Sequence, residues 1–539
     1  MKLFTRLMPL FLACLMVVSF GPTTAFAEEP AEFTIWMPSY PTDYYSDYSE
    51  NAIVQYLNER FNVKLYFQQP AAGTEQEAFN MLISTGEYTD MMALQYSTVS
   101  AQILLDEGII VNLMDYIDNM PNFKAILEND EEARKAFLTD DGKLLALPVF
   151  YTEGRPMWGG LVYRRDILET MTGGNIAFPS GNDIPTTVED WDYMLPLFKA
   201  YFEAAQMPQF AALMIPYNGY FPAGELVSGF GAAPFFYLEG DTVKFGPTQQ
   251  GFYNYLKKMN EWYEAGYVDA DFASRVNDPF YLPNTAMTYG AAAGAWFGLS
   301  SQMGGAMSMP QYNLFVNVKA MASPLDTQNG VETANVRMTD PRIQANTSYV
   351  VSTACDDIPR LLSTLDFLFS EEGSKIKGLG LDKAHGAAHN PIYQAVGATE
   401  GIWTEDNGDI KRSERVLVGG DLASTGIVEA LTDQRLPGIG FIVPDETAET
   451  VEADAIWQKY PATSNYPSFA TRTLEEDKVY NKRYNDIVDY LNSMVPRFIM
   501  GTEELDENTF KAFADQLNVY GAEELTTIYQ DAYDRYLTR

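Results

Sequence analysis

Cysteine is nearly absent from this chain: among 539 residues there are only Cys14 and Cys355. No disulfide framework is available, so stability must come from buried apolar cores. Histidine is as scarce, with His385 and His389 alone. Their spacing of four in "HGAAH" would suit zinc on a helix. The adjoining glutamate of that motif is missing, however, Gly386 weakens a helix and Pro391 follows, so no metal site is expected. Basic charge is the third shortage: 36 Lys and Arg stand against 73 Asp and Glu, a formal net charge of -37. Such a field repels a polyanion and no basic stripe offsets it, which excludes nucleic-acid binding. Neither the Gly-x-Ser-x-Gly elbow of serine hydrolases nor the phosphate-binding P-loop is present. With one thiol left outside the leader and no nucleophile-base pattern, no catalytic residue and no cofactor are predicted.

Long apolar runs are confined to the amino terminus. Lys2 and Arg6 precede an apolar stretch from Leu7 to Phe20, then Gly21-Pro22 and the small-x-small triplet Ala25-Phe26-Ala27. This order describes a cleavable signal peptide over residues 1–27, with Glu28 as the mature start. Its removal takes Lys2 and Arg6 and makes the mature chain still more acidic. Cys14 follows Phe11-Leu12-Ala13 as a lipidated cysteine would, but the apolar run continues through Val18, so it reads as a residue lost with the leader. No later stretch is apolar enough to span a bilayer. The expected location is secreted or cell-envelope associated.

What remains is ordinary globular composition, 46% hydrophobic and 20% charged, with aromatics high at 14%. The length predicts about two to four lobes. From Glu32 the chain reads as strand Phe33–Met37, a polar aromatic loop Pro38–Ser49, a helix over Ala52–Phe61, strand Val63–Phe67 and a helix over Glu75–Ser84. A short buried strand lies within Thr89–Leu94. This is the alternation of a parallel α/β sheet. "DDGKLLALPVF" is a turn leading into a strand that Pro148 ends, and "WGGLVYRRDILETM" is a strand entering a helix. Thr187, three residues before Asp190, marks a helix start at "TTVEDWDYML". "GFYNYLKKMNEWYEAGYV" is amphipathic at helical spacing, strand-to-helix units follow at "NTAMTYGAAAGAW" and "TSYVVSTACDDIPRLL", and Glu475 to Arg539 is mostly helical.

The phrases "FNMLISTGEYTDMM", "EGIIVNLMDYIDNMPN", "DDGKLLALP", "GLVYRRDILETM", "MNEWYEAGYVDADF", "SYVVSTACDDIPRLLSTLDFLFSEEGSKI" and "QDAYDRYLTR" run collinearly over nearly the whole mature chain. In that order the sequence resembles the bacterial family 1 extracellular solute-binding proteins, in particular the larger oligosaccharide-binding, LipO-like members with the maltose-binding architecture. The resemblance implies an α/β, two-lobed periplasmic-binding-protein type II fold with discontinuous lobes around a hinge cleft. It implies lobe 1 from 28–150 and 346–385, and lobe 2 from 151–345 and 386–539. The crossings are expected near Phe150–Gly154, Asn346–Tyr349 and Gly378–His389. It also implies a monomer that closes on an oligosaccharide by hinge bending and hands it to the permease subunits of an ABC transporter. Relatives that bind anionic polysaccharide fragments carry an acidic calcium loop after the helix matching "LPLFKAYFEA". Here "AQMPQFAALMIPYNGY" follows, without the carboxylates an oxygen-coordinated calcium needs.

A sugar offers apolar C–H faces and a rim of hydroxyls, so its site takes flat aromatics and fixed polar groups. In parallel α/β sheets that site lies at the carboxyl ends of strands. Trp296, ending "YGAAAGAW", is the leading platform, where the family places a stacking aromatic. Trp158 and Tyr151 flank the first crossing. Tyr40, Tyr44 and Tyr45 occupy the first loop, and Tyr96 follows the Asp90–Leu94 strand. Asp43, Gln69, Asn218, Arg342 and His389 are the loop polar candidates, Arg342 being suited to a forked hydrogen bond. Trp403 and Phe441 complete the set, while Trp191, Trp262 and Trp457 read as helix packing. The competing reading is a secreted polysaccharide-degrading enzyme or glycan-adhesion module, since 73 acids make carboxylate pairs unavoidable. Those acids sit in solvated runs such as Asp130-Glu131-Glu132, which favours the binder.

Overall fold

The computed structural model describes residues 29–207, 209–275, 291–308, 315–339, 342–417, 420–442 and 447–539. The leader and Cys14 lie outside them. The first strands are β1 (Ala31–Trp36), β2 (Val63–Gln68), β3 (Met91–Ala93) and β4 (Leu147–Phe150). They are followed by β5 (Gly159–Arg164), β6 (Ala211–Leu213), β7 (Phe236–Glu239), β8 (Thr242–Phe245), β9 (Ala293–Leu299) and β10 (Val318–Ala320). The last four are β11 (Ile343–Val351), β12 (Trp403–Asp406), β13 (Asp409–Arg412) and β14 (Gly438–Ile439).

Local signals set most of these elements. Asn51 Oδ1 accepts from the Ile53 and Val54 amides, capping the helix Ala52–Phe61. Ile53, Val54 and Leu57 put one face of that helix into the core, and Asn62 at φ 51° turns the chain into β2. Thr187 and Asp190 form a reciprocal capping box on the helix Val188–Ala204. Pro148 does not end its strand: it lies inside β4, opposite Ser348. It is tolerated because the β4–β11 register is irregular between Ile343 and Ser348, so the missing amide breaks no regular ladder.

Two sheets seed two bodies. The first has the order β14-β4-β11-β3-β1-β2, with β11 running against the rest. The second has the order β10-β5-β9-β6, with β5 antiparallel to β9 and β10. Hairpins β7–β8 and β12–β13 are satellites. One core draws buried side chains from Phe33 to Phe150 and from Ile343 to Leu436. The other draws them from Met157 to Met338 and from Ala453 to Ile528. The chain therefore passes between bodies after β4, between Met338 and Ile343, and between Phe441 and Ala453. The last passage comes later than the Gly378–His389 expected. Ile392, Tyr393, Ile402, Leu431 and their neighbours bury their side chains in the first core, which keeps residues 386–442 there. Among the described residues no helix is long and apolar enough to cross a membrane.

Candidate functional site

The carboxyl ends of β1, β2 and β3 form one edge of the first body. Tyr40, four residues past β1, donates its hydroxyl to Gln95 Oε1 at 3.2 Å. The Arg435 guanidinium lies 3.7 Å from the Tyr40 ring centroid, a cation–π stack. These three, with Ala93, Ser348, Tyr349 and Gln434, enclose a recess of about 40 Å³. Burial raises the Tyr40 hydroxyl pKa, and Arg435 opposes the shift. Arg435 is itself positioned: Asp433 Oδ1 accepts from its backbone amide at 2.8 Å and from Leu436 at 3.1 Å. Asp433 also accepts from the Tyr48 hydroxyl, and the Lys377 ammonium lies 3.2 Å from Asp433 Oδ2. Both members of that ion pair are buried, and burial pushes the Lys377 pKa down. A buried pair of this kind carries a large desolvation cost, and here it holds the loop that presents Arg435.

The crossings carry the next aromatics. The Tyr151 amide donates to the Arg342 carbonyl at 2.5 Å, tying the first two crossings together. The guanidinium of Arg155 lies 4.3 Å over the Tyr151 ring. Gly440 also packs on that ring, where a Cβ would meet Tyr151 Cε1 at 2.3 Å, so only glycine allows this packing. Phe441 follows β14 at the third crossing. On the second body Trp158, half-buried just ahead of β5, meets Phe297 edge-on at 6.3 Å, and Phe221 sits 5.6 Å from the same ring. Asn218 lies in the loop after β6, its Oδ1 accepting weakly from the Tyr220 amide at 3.5 Å.

The expected residues divide accordingly. Tyr40 is in the recess, while Asp43 and Tyr44 stand exposed on its loop and Tyr96 packs partly against the first core two residues past Leu94. Tyr151, Phe441, Trp158 and Asn218 lie at the crossings or at strand ends of the second body. Trp296 is a correction: it sits in the middle of β9, paired with Val162, 1% exposed, its indole N–H on Gln302 Oε1. A tryptophan enclosed on all sides packs a core and offers no face to a sugar. Tyr45 is likewise buried, edge-on to Tyr48, its hydroxyl pKa pushed up to about 12 by burial. Trp403 is buried and donates to the Gly380 carbonyl, and His389 lies exposed beside Asn390, which bonds Gln55 of the first body. Gln69 braces the first loop, bonded to the Tyr48 amide and the Pro38 carbonyl. Arg342 is taken up by Asp130 and Glu132 at 2.7 and 2.6 Å. Arg435, Gln95 and Arg155 had no signature in the sequence. Arg435 precedes the two-residue β14 by three positions, so no strand end marks it.

No protein-family model and no curated protein matches the chain. Solved structures do. The HMO-binding ABC-transporter-associated solute-binding protein of Bifidobacterium longum infantis aligns with a TM-score of 0.74 at 15% identity, over 94% of this chain and 99% of that one. The alginate-binding protein AlgQ2 aligns at 0.69 with 18% identity, over 94% and 99%. The Streptococcus pneumoniae ABC-transporter substrate-binding protein FusA, in complex with kestose, aligns at 0.69 with 17% identity over the same shares. The chain shares with them the two-lobed solute-binding fold, and these neighbours are binding proteins.

Proposed function

We propose that this chain is the extracellular solute-binding protein of an ABC importer, capturing an oligosaccharide between its two lobes by hinge closure and delivering it to a membrane permease. The observation that carries the reading is the recess built by an aromatic ring and fixed polar groups on the first body, with an aromatic and an amide at strand ends of the second. Tyr40, Gln95 and Arg435 line the edge of the first body, and Trp158 and Asn218 those of the second. An aromatic face with fixed donors and acceptors is what a sugar ring asks for. The neighbours named for HMO, alginate and kestose supply the ligand class by analogy of fold. Tyr96, Tyr151 and Phe441 belong to the same proposed surface. The chain acts as a monomer outside the cell.

Titration of the purified protein with a panel of neutral and acidic oligosaccharides, read by tryptophan fluorescence, tests this directly. Saturable quenching or enhancement with unchanged glycan is expected, and it should weaken at least tenfold in Tyr40→Ala or Trp158→Ala. Release of shortened sugars would instead identify a polysaccharide-degrading enzyme. Saturable binding of peptides alone would remove the sugar from the proposal.

A further inference from the structure

The two bodies also meet away from the crossings, and their side-chain hydrogen bonds and ion pairs among the described residues converge there on one carboxylate. Asp140 sits at the tip of the turn that Leu138 and Leu144 close ahead of β4. Its Oδ2 accepts from Arg535 Nε at 3.0 Å and its Oδ1 from Arg539 Nε at 2.6 Å. Arg539, whose side chain is only 5% exposed, donates also to the Lys135 and Leu138 carbonyls of the first body and to the Phe469 carbonyl of the second. Arg535 is anchored in its own body by Glu476 at 2.5 Å. Phe469 packs on the first core beside them. Next to this cluster the bodies separate around a cavity of about 460 Å³, with Gln102 and Asp141 on one wall and Thr471 and Asp477 on the other.

The place of this contact in the sheet gives it a role. The recess-bearing loops follow β1 and β3, on one side of β11. Residues 110–111 bond β11 on its other side, the side of β4, through Ile110–Ser352 and the Val111 amide to the Val351 carbonyl. Leu113 then donates to Leu144 of the Asp140 turn. The Asp140 cluster thus lies toward the Val351 end of β11 on its β4 side, away from the Ile343 end where the chain crosses, while Ser348 and Tyr349 of β11 line the recess. A hinge at the crossings that brings Tyr40 toward Trp158 would draw Arg535 and Arg539 away from Asp140.

We propose that Asp140, Arg535 and Arg539 form a latch that holds the lobes open, and so set ligand affinity from outside the recess without touching ligand. A partly exposed pair is weak, but a hinge balanced between two states responds to small terms. The inference rests on the hinge geometry and not on the identity of the ligand.

Spin labels at exposed sites on each body, Glu59→Cys and Lys257→Cys, report lobe separation by pulsed electron paramagnetic resonance with no sugar added. Asp140→Asn and Arg539→Ala are each expected to raise the short-distance population roughly threefold to fivefold. The double variant should exceed either single one, since Asp140→Asn also frees Arg535 and Arg539→Ala also loses the Lys135 and Leu138 carbonyls, but by less than the sum of the two, because the Asp140–Arg539 contact is shared. High salt on the otherwise unsubstituted labelled chain should shift the population the same way by screening, which keeps the test independent of any folding defect. A distance distribution unchanged in the variants and in salt overturns the latch. A shift without binding of any oligosaccharide overturns the sugar reading alone.

Discussion

The two bodies solve burial differently. Both bodies bury charge, the second through Arg164, Asp190, Glu225 and Asp269, but in the first it supports the proposed site: Lys377 and Asp433 are paired in its core under the Arg435 loop, and Asp366 accepts from the Asn122 and Phe123 amides at a helix start. The second is filled with rings. Trp191 stacks on Trp262 at 5.7 Å, Trp296 is enclosed, and the carboxyl-terminal helices add Tyr480, Tyr484 and Tyr529 as a packed set. The lesson is that the aromatic excess chiefly serves packing of the second body. The groups that shape the proposed site depend instead on a buried ion pair in the first, so abundance of aromatics was a poor guide to their function.

Substitutions sharpen that contrast. In the second body Trp296→Ala should cost about 3–5 kcal/mol in denaturant unfolding, the price of an unfilled core. Lys377→Met should cost a similar ~3–5 kcal/mol in the first, by leaving Asp433 charged and unpaired. Only the second substitution should also displace Arg435 and weaken sugar binding, and equal binding losses in the two variants would erase the distinction. Glu225 gives the next largest effect. It is buried, its Oε1 accepting from Met338 N–H at 2.6 Å ahead of the second crossing, and burial pushes its carboxyl up to about 7 against an ordinary 4.5, Arg337 opposing. Between those values the folded chain holds a proton that the unfolded chain has released. Stability should therefore fall as pH rises through that window, by at most about 3 kcal/mol, and Glu225→Gln should flatten the curve. Smallest is Arg435→Ala: about 0.5–1 kcal/mol of stability from the lost stack on Tyr40, against a binding loss of tenfold or more read by the same fluorescence titration.

Much of the secondary structure was legible because its causes are local. The Asn51 and Thr187 caps and the two-residue alternation of β2 act within a turn or two of chain, and the helix Ala52–Phe61 has the ends expected of it. Pro148 reads as a strand end because the irregular register that accommodates it lies 200 residues on, in β11. The return between lobes was misplaced because Gly378–His389 has the composition of a linker, whereas the segment beyond it carries apolar side chains whose partners lie in the helix Ala52–Phe61 and around β4.

By itself, then, the sequence determined the α/β rhythm, the export leader as an expectation, the acidity and the collinear phrases of a two-lobed binding protein. Tertiary structure alone decided which rings are enclosed and which stand partly open at strand ends. A tryptophan at a strand end and one in mid-strand differ only in what the rest of the chain lays over them. The same holds for Arg435 over Tyr40 and for Arg539 on Asp140: each pair is made by folding distant segments together, and no local pattern records it.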